Sequence, residues 1–335
     1  MKQLVFLLTL VLLFVFADCK KESDASTSPP NKDTSWTAVP VGDAVVNAFA
    51  VSGTNLLAGT NYDVCLSADA GTSWTGTDLI STSVLAFAGS GTNLFAGTSG
   101  ALSPLSGGVF LSTNSGTNWT AASNGLPHTN IHALAVSPNG TGGTNLFAGT
   151  DDHGVFRSTN NGTSWTAAST GLPSSPYLTV HSLAVSGTNL FAGTGIFDQT
   201  GHHGGVFLST NNGTSWTEAS TGLANSYVFA LAVSGTNLFA GTGSGVFLST
   251  NNGTNWIAAS TGLTNTNVRS LAVSGTNLFA GTYAYGGVFL STDKGTNWQS
   301  IDSGLQWNSD VAVLAVSGTY LFAGTAGQGA WRRPL

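Results

Sequence analysis

The chain has 335 residues, of which only 7% are charged, with nine Lys and Arg against fifteen Asp and Glu. A formal net charge of -6 and so few basic residues exclude a basic nucleic-acid-binding surface, so no nucleic-acid partner is predicted. A chain of this length can bury a large apolar core. Its solubility must come from its many Ser, Thr, Asn and Gly residues, because charged side chains are scarce.

The first segment, residues 1–19, is predicted to be an export signal. An uncharged apolar run at residues 4–17 is too short for a stable membrane anchor. Cleavage after Ala17 would release a secreted chain, whereas lipidation of Cys19 would give a lipoprotein of the bacterial cell envelope. We favour lipidation, because Cys19 directly follows the apolar run, and we expect membrane contact only through that lipid. Residues 20–33 are predicted to be a flexible tether.

Residues 34–335 are built from a repeated unit, and its clearest copy is Leu231–Trp256, LAVSGTNLFAGTGSGVFLSTNNGTNW. Turns that contain glycine divide the unit into apolar runs of about five residues, which are typical of short antiparallel strands. A fourth run begins at Trp256. Each unit is therefore predicted to be a four-stranded antiparallel sheet. Cys65 replaces the Phe of a third strand, which predicts a buried core residue.

The Gly-Thr pair that ends each second strand recurs seven times. Its threonines are Thr60, Thr98, Thr150, Thr194, Thr242, Thr282 and Thr325. Seven copies of this unit predict an all-β, seven-bladed β-propeller, in which neighbouring sheets bury each other's apolar faces. The last copy holds only three strands, and Trp36–Val39 resembles a fourth strand without its predecessors. We therefore predict that this N-terminal strand pairs with the strand near Trp331 and closes the ring.

The turn between the third and fourth strands carries the most specific motif, of which SADAGTSW, STNNGTSW and STDKGTNW are examples. Its copies begin at Ser67, Ser112, Ser158, Ser209, Ser249 and Ser291. The third residue, Asp or Asn, is expected to accept hydrogen bonds from backbone N–H groups of the turn. The motif resembles the Asp-box, or BNR, repeat of sialidases, sortilin-type receptors, xyloglucan hydrolases and photosystem II assembly factors. This resemblance implies a β-propeller but indicates no specific member.

The two ends of the predicted ring differ in sequence. First and third turns are nearly uniform, whereas second turns and the links between units vary, and varied loops on a regular scaffold are where binding usually lies. One ring of varied positions falls at the start of the first strands: Asn47, Leu85, His132, His181, Phe229, Arg269 and Ala312. The predicted ligand-binding floor is Asn47, His132, His181, Phe229 and Arg269, and its predicted rim is Asp151, Asp152, His202, His203, Tyr283 and Tyr285. The alternative is that these loops vary because nothing constrains them.

Three functions remain open. A non-catalytic binding propeller would use these aromatic and imidazole groups to recognise a glycan or a protein partner, as a monomer and without a cofactor. A sialidase-like hydrolase would need an arginine triad, but only Arg269 lies at the mouth. A xyloglucanase-like hydrolase would need two opposed carboxylates, for which Asp151 and Asp198 are the candidates. A structural surface spacer is the third. We favour the binder and predict neither a catalytic residue nor a bound metal.

Overall fold

The computed structural model describes residues 35–41, 45–100, 107–140, 143–198, 201–223, 226–284, 286–306 and 310–335. Within these ranges it contains seven four-stranded antiparallel sheets. The prediction of an all-β, seven-bladed propeller is therefore confirmed. The export signal, the tether and the lipidation site at Cys19 lie outside the described residues and stay predictions. In the described part of the chain, no helix is both long and apolar enough to cross a bilayer.

The inner half of each blade is formed by its first two strands. The first strands of blades 1 to 7 are β2 (Val46–Ser52), β6 (Val84–Ser90), β10 (Ile131–Pro138), β14 (Leu178–Ser186), β18 (Val228–Ser234), β22 (Val268–Ser274) and β26 (Val311–Ser317). The second strands are β3 (Asn55–Thr60), β7 (Asn93–Thr98), β11 (Thr144–Thr150), β15 (Asn189–Asp198), β19 (Asn237–Thr242), β23 (Asn277–Thr282) and β27 (Tyr320–Thr325). Neighbouring first strands contact each other around the whole ring, so they line the central channel.

The outer half of each blade is formed by the remaining strands. The third strands are β4 (Asp63–Ser67), β8 (Gly108–Ser112), β12 (Val155–Ser158), β16 (Gly201–Ser209), β20 (Gly245–Ser249), β24 (Val288–Ser291) and β28 (Ala330–Pro334). The fourth strands are β5 (Thr75–Ile80), β9 (Thr120–Ala121), β13 (Thr166–Ala167), β17 (Thr217–Glu218), β21 (Ile257–Ala258), β25 (Gln299–Ser300) and, in blade 7, β1 (Thr37–Val39). Most of these fourth strands have only two residues, so the blades taper outward.

The ring closes as predicted. Strand β1 pairs antiparallel with β28, and Thr37 lies opposite Arg332, Ala38 opposite Trp331 and Val39 opposite Ala330. The first and last segments of the propeller therefore share one sheet, which leaves β28 without an open edge.

The core lies between the blades. The cluster between blades 4 and 5 contains Phe191 and Val206 from one blade with Leu238, Phe247 and Trp256 from the next. Second strands read as unbroken apolar runs because both of their faces are covered: along β19, Leu238 packs into this cluster and Phe239 into the following one. Burial on both faces explains why the apolar/polar alternation of a half-buried strand is missing there.

The six Ser-to-Trp turns, which begin at Ser67, Ser112, Ser158, Ser209, Ser249 and Ser291, fold around their third residue. In the first of them, Asp69 Oδ1 accepts a hydrogen bond from the backbone N–H of Ser73 at 2.8 Å. The indole N–H of Trp74 or Trp119 donates to a glycine carbonyl of its own turn, whereas the other four tryptophans donate to the preceding blade. The indole N–H of Trp256 donates to the carbonyl of Ala219 in the preceding blade at 2.8 Å, so the turn also joins two blades.

Two predictions concern individual parts of the blades, the second turn of blade 4 and Cys65. Residues 195–198 and 201–204 lie where the sequence predicts a varied second turn, but they extend a hairpin, in which Ile196 and Phe197 continue the ladder of β15 with β16. β-branched and aromatic residues favour such pairing. Cys65 is fully buried, as predicted, and it is also disulfide-bonded.

Candidate binding site at the variable mouth

Each first strand carries a β-bulge near its start, at the position that the sequence predicts to vary. In blade 1 the pairing passes from Val46 directly to Ala48, and the other six blades skip the corresponding residue. The seven bulge residues, all half-buried, are Asn47, Leu85, His132, His181, Phe229, Arg269 and Ala312. A bulge releases its residue from the ladder and re-aims the side chain. These positions can therefore differ while the strands around them stay paired.

Four consecutive bulge residues form a continuous stack in blades 3 to 6. The ring centroids of His132 and His181 are 5.9 Å apart, and those of His181 and Phe229 are 5.4 Å apart. The guanidinium carbon of Arg269 lies 3.8 Å from the centroid of Phe229 and 5.0 Å from that of Tyr283. Both distances permit cation–π attraction. We call this set of five residues, from His132 to Tyr283, the mouth stack.

Asp151 anchors one end of the mouth stack. Its carboxylate lies 3.0 Å from His132 Nε2, and it accepts hydrogen bonds from Asn130 Nδ2 and Thr179 Oγ1, each at 2.8 Å. Burial alone would raise the pKa of Asp151, but the hydrogen bonds and the attraction of His132 outweigh it and lower the pKa to about 2. Asp151 is thus an ionised group that ties the second turn of blade 3 to the first strand of blade 4.

His181 lies at the centre of the mouth stack. Burial lowers its pKa to about 4, and the positive charges of His132 and Arg269 act in the same direction, against the opposing attraction of Asp151. At neutral pH the ring is therefore uncharged. It offers an aromatic surface with one donor and one acceptor nitrogen.

We expect the fold to lose stability as the pH falls from 6.5 towards 4. Unfolded His181 takes up a proton near pH 6.5, whereas folded His181 resists protonation until about 4, so acid favours the unfolded state in this window. The loss at pH 4.5 should be about 2 kcal/mol. Asp151 does not contribute there, because its stabilisation is lost only as the pH falls from 3.8 towards 2. Urea unfolding across this pH range measures the effect.

Two variants test whether His181 is the group responsible. His181→Phe keeps an aromatic ring but cannot titrate, so its stability should stay nearly constant between pH 6.5 and pH 4.5. His128 is exposed, and His128→Gln should retain the wild-type slope. An undiminished slope in His181→Phe would show that another group is responsible.

A pocket of about 210 Å³ opens beside the mouth stack. Its lining residues are Tyr177, Thr179, His181, Gly195, Phe197, Tyr227, Phe229 and Arg269. The ring of Tyr227 lies 5.9 Å from His181 and 5.7 Å from Phe229. Tyr177 and Phe197 are 56% and 62% exposed, so both present aromatic surface to a ligand. The pocket therefore combines neutral hydroxyl groups, aromatic faces and one fixed positive charge.

Variation among the repeats did not identify five of these lining residues, which are Tyr177, Thr179, Gly195, Phe197 and Tyr227. Tyr177 and Tyr227 lie in links between blades, and Phe197 lies in the hairpin extension that was predicted as a loop. The two tyrosines could have been identified from the sequence, because each lies within four positions before a bulge residue.

The predicted site residues do not all come together. Asn47 lies in blade 1, outside the mouth stack, and its Nδ2 donates to Ser83 Oγ at 3.4 Å. Asp152 is exposed and lines a different pocket of about 450 Å³ with His153 and Leu178. His203 is half-buried on β16, opposite Ile196. Tyr285 and the side chains of Asp198 and His202 lie outside the described residues. A role in binding stays a prediction for every one of these positions.

The other arginines with described contacts have structural partners. Arg157 Nη1 donates to the carbonyl of Asn212 at 3.0 Å, and Arg333 Nη1 donates to that of Ile301 at 2.7 Å. Arg332, on the third strand of blade 7, donates from Nη1 to Thr72 Oγ1 at 3.1 Å. All three lie on third strands and away from the mouth, so an arginine triad does not form around Arg269. Within the described ranges, no group of three His, Cys, Asp or Glu side chains converges in a way that could hold a metal ion.

The fold and the site together define a seven-bladed β-propeller with a chemically varied mouth. Residues 11–230 match the family model described as the DUF6242 beta propeller domain. The chain belongs to this family. A comparison with curated proteins finds no match.

Several solved structures share the fold. The extracellular domain of a one component system from B. thetaiotaomicron aligns with a TM-score of 0.67 and 16% identity, over 87% of this chain and 38% of that one. A GH74 xyloglucanase from Xanthomonas campestris aligns with a TM-score of 0.67 and 15% identity, over 90% and 53%. YCF48 bound to D1 peptide aligns with a TM-score of 0.61 and 14% identity, over 90% and 96%. At these identities the likeness shows the fold alone, and the chain spans only 38% of the first of these proteins.

Proposed function

We propose that this protein is an exported, non-catalytic binding propeller that recognises a glycan or a protein segment through the mouth stack. The observation that carries the proposal is the unbroken series of ring and guanidinium contacts across four adjacent blades, from His132 to Arg269. Aromatic side chains with a polar end supply large contact areas and specific hydrogen bonds to ligands. The structural relatives have varied roles, among them a xyloglucanase and a protein bound to a peptide, so the fold by itself does not choose a function.

The distribution of side-chain types around the mouth supports a binding site over unconstrained variation. Complementary groups occupy adjacent bulge positions in blades 3 to 6. The three remaining bulge residues, Asn47, Leu85 and Ala312, carry no aromatic ring and no charge. Stacking groups are thus concentrated on one arc of the mouth, the arc beside which the pocket opens.

The chemistry of Asp151 favours binding over hydrolysis. A glycosidase acid needs a raised pKa so that it carries a proton near neutral pH. The pKa of Asp151 is instead lowered to about 2, and its oxygens are engaged by His132, Asn130 and Thr179. An ionised carboxylate could still act as the base or nucleophile of such an enzyme, but both oxygens of Asp151 already accept hydrogen bonds, so we propose no catalytic residue. Hydrolysis of a fluorogenic sugar that is abolished by Asp151→Asn would contradict this and support the hydrolase.

Binding should depend on the centre of the mouth stack. We expect the double variant His181→Ala, Phe229→Ala to bind its partner at least 30-fold more weakly, because two stacked rings at the centre of an interface are typical hot spots worth about 2 kcal/mol or more. Glycan arrays and pull-downs from the native envelope, with the mature propeller as bait, would identify the partner, and titration would measure its affinity.

The matched control is Leu85→Ala, which truncates a bulge residue outside the mouth stack. It should bind like the wild type. Equal affinity of the double variant, or equal loss in Leu85→Ala, would show that the mouth stack is not the site. An absence of binding to any extract would favour a structural spacer.

We also infer that the six Ser-to-Trp turns are Asp-box repeats. In the turn that begins at Ser249, the side chain of Asn251 accepts from the backbone N–H of Asn255 at 3.0 Å, and Ser249 Oγ accepts from Gly253 at 2.9 Å. Both the sequence resemblance and this hydrogen bonding support the inference. An experimental structure with the Asn251 side chain outside the turn would contradict it.

The mature form is proposed to be either lipidated at Cys19 or secreted. The intact mass of the mature protein distinguishes an added diacylglycerol from the mass of the bare cleaved chain, and an uncleaved N-terminus would contradict export by either route.

A further inference from the structure

We infer that the pocket beside the mouth stack binds an anionic sugar, a single pyranose ring that carries a carboxylate, with Arg269 as the residue that selects the charge. This inference rests on the proposed function and names the chemistry of the ligand.

The guanidinium of Arg269 is held in place from two directions. Its Nε donates to Asn267 Oδ1 at 3.0 Å, and its plane is packed between the rings of Phe229 and Tyr283. Among the described residues, the hydrogen bonding of this guanidinium uses Nε alone. Both Nη groups are therefore available to a ligand, and a guanidinium fixed in this way is suited to bidentate pairing with a carboxylate.

The described lining of the pocket carries no anion that would balance Arg269. Among the described lining residues there is no Asp or Glu, and Arg269 is their single fixed charge. Asp310 stabilises the charged form of Arg269 from outside this lining. A ligand that enters the pocket without an anion would leave a half-buried guanidinium with fewer partners than it has in water, which is unfavourable. The lining thus favours an anionic ligand over a neutral one.

The remaining walls fit a sugar ring. Tyr177 is 56% exposed and Phe197 is 62% exposed, so both contribute aromatic surface against which the C–H face of a pyranose can pack. The hydroxyl groups of Thr179 and of the tyrosines, with the neutral imidazole of His181, offer donors and acceptors to sugar hydroxyls.

The volume points to one ring and not to an extended chain. About 210 Å³ is below the roughly 300–1,000 Å³ of pockets that hold drug-sized ligands. An acidic peptide could bring a carboxylate to Arg269, but Asp and Glu side chains have no ring for the walls at Tyr177 and Phe197. A sugar acid carries the carboxylate and the ring in one rigid unit. One sugar residue can therefore contact both Arg269 and the walls at Tyr177 and Phe197.

Calorimetric titration of two oligosaccharides that differ only in the terminal residue, glucuronic acid or glucose, tests the inference. The wild type should bind the acid-terminated ligand at least tenfold more tightly, and the preference should shrink as salt is added. Arg269→Gln should abolish the preference, so that the two ligands bind this variant with the same affinity. Arg269→Lys keeps the positive charge but cannot pair with both carboxylate oxygens in the same way, so it should retain part of the preference for the acid-terminated ligand.

The controls separate this inference from the proposed function. Leu85→Ala should keep the tenfold preference, and matching melting temperatures should show that the Arg269 variants are folded. Equal affinity for the two sugars, a preference that survives in Arg269→Gln, or tighter binding of an acidic peptide would overturn the anionic-sugar inference. If a captured partner is still lost in His181→Ala, Phe229→Ala, the mouth remains the binding site and only the ligand class is wrong.

Discussion

Replacing Trp36 by Ala is expected to lower the free energy of unfolding by about 3–5 kcal/mol, the range typical of large aromatic side chains removed from a core. Trp36 is only 3% exposed, and it packs between blades 6 and 7 with Leu321 and Trp331. Its indole N–H donates to the carbonyl of Ile301 at 2.8 Å, and its backbone N–H donates to that of Ser303 at 2.7 Å. A fall of roughly 5–8 °C in Tm should accompany this loss in a propeller of about 300 residues.

Deletion of residues 35–39 should cost more than any single substitution in β1. It removes the three residue pairs with β28 and opens an edge in the only blade built from both ends of the described propeller. Thr37 provides a control, because it is exposed and its side chain makes one long hydrogen bond, 3.3 Å from Oγ1 to the carbonyl of Arg332. Thr37→Ala should therefore lower the melting temperature far less than the deletion. An unchanged melting curve after the deletion would mean that the ring does not depend on this strand.

The repeat explains how much of the fold could be predicted. The recurrence of units such as Leu231–Trp256 predicts the number of blades, and the orphan strand at Trp36 predicts the closure. The bulges could not be predicted, because a bulge is a shift in pairing between two strands and leaves no fixed residue type in either. Alignment of the copies identified the position of Asn47 or His181 as variable, but only the strand register shows why variation is tolerated there.

The candidate site was predictable only where it follows the repeat. His132, His181, Phe229 and Arg269 occupy equivalent positions in adjacent blades, so their proximity follows from the ring geometry. The position of Asn47 is equivalent to theirs, yet it lies in blade 1, and stacking requires neighbouring rings. Pocket residues outside the repeat register were missed, because no counterpart in other blades locates them.

Replacement of Gly222 by Ala is expected to cost about 3 kcal/mol, because it combines backbone strain with a steric clash. Gly222 has φ of 90° and lies in the link between blades 4 and 5. An added Cβ would lie 2.2 Å from the carbonyl oxygen of Trp256. That backbone cannot move easily, since the N–H of Trp256 donates to the carbonyl of Thr221 at 2.8 Å. The same contact between a link glycine and the backbone of a tryptophan recurs at Gly125, Gly171, Gly262 and Gly304.

Gly235 offers the matched control for this substitution. It also has positive φ, 60°, but no atom lies within 4 Å of an added Cβ, so Gly235→Ala should cost only the conformational strain, about 1 kcal/mol. Urea unfolding gives the free energy of unfolding of both variants, and the difference between their losses is the cost of the clash with Trp256. Gly222 precedes Tyr227 and Phe229 in the chain, so loss of the contact between Gly222 and Trp256 should also weaken partner binding at the mouth. Equal costs at the two glycines would show that the links do not hold the blades together through this contact.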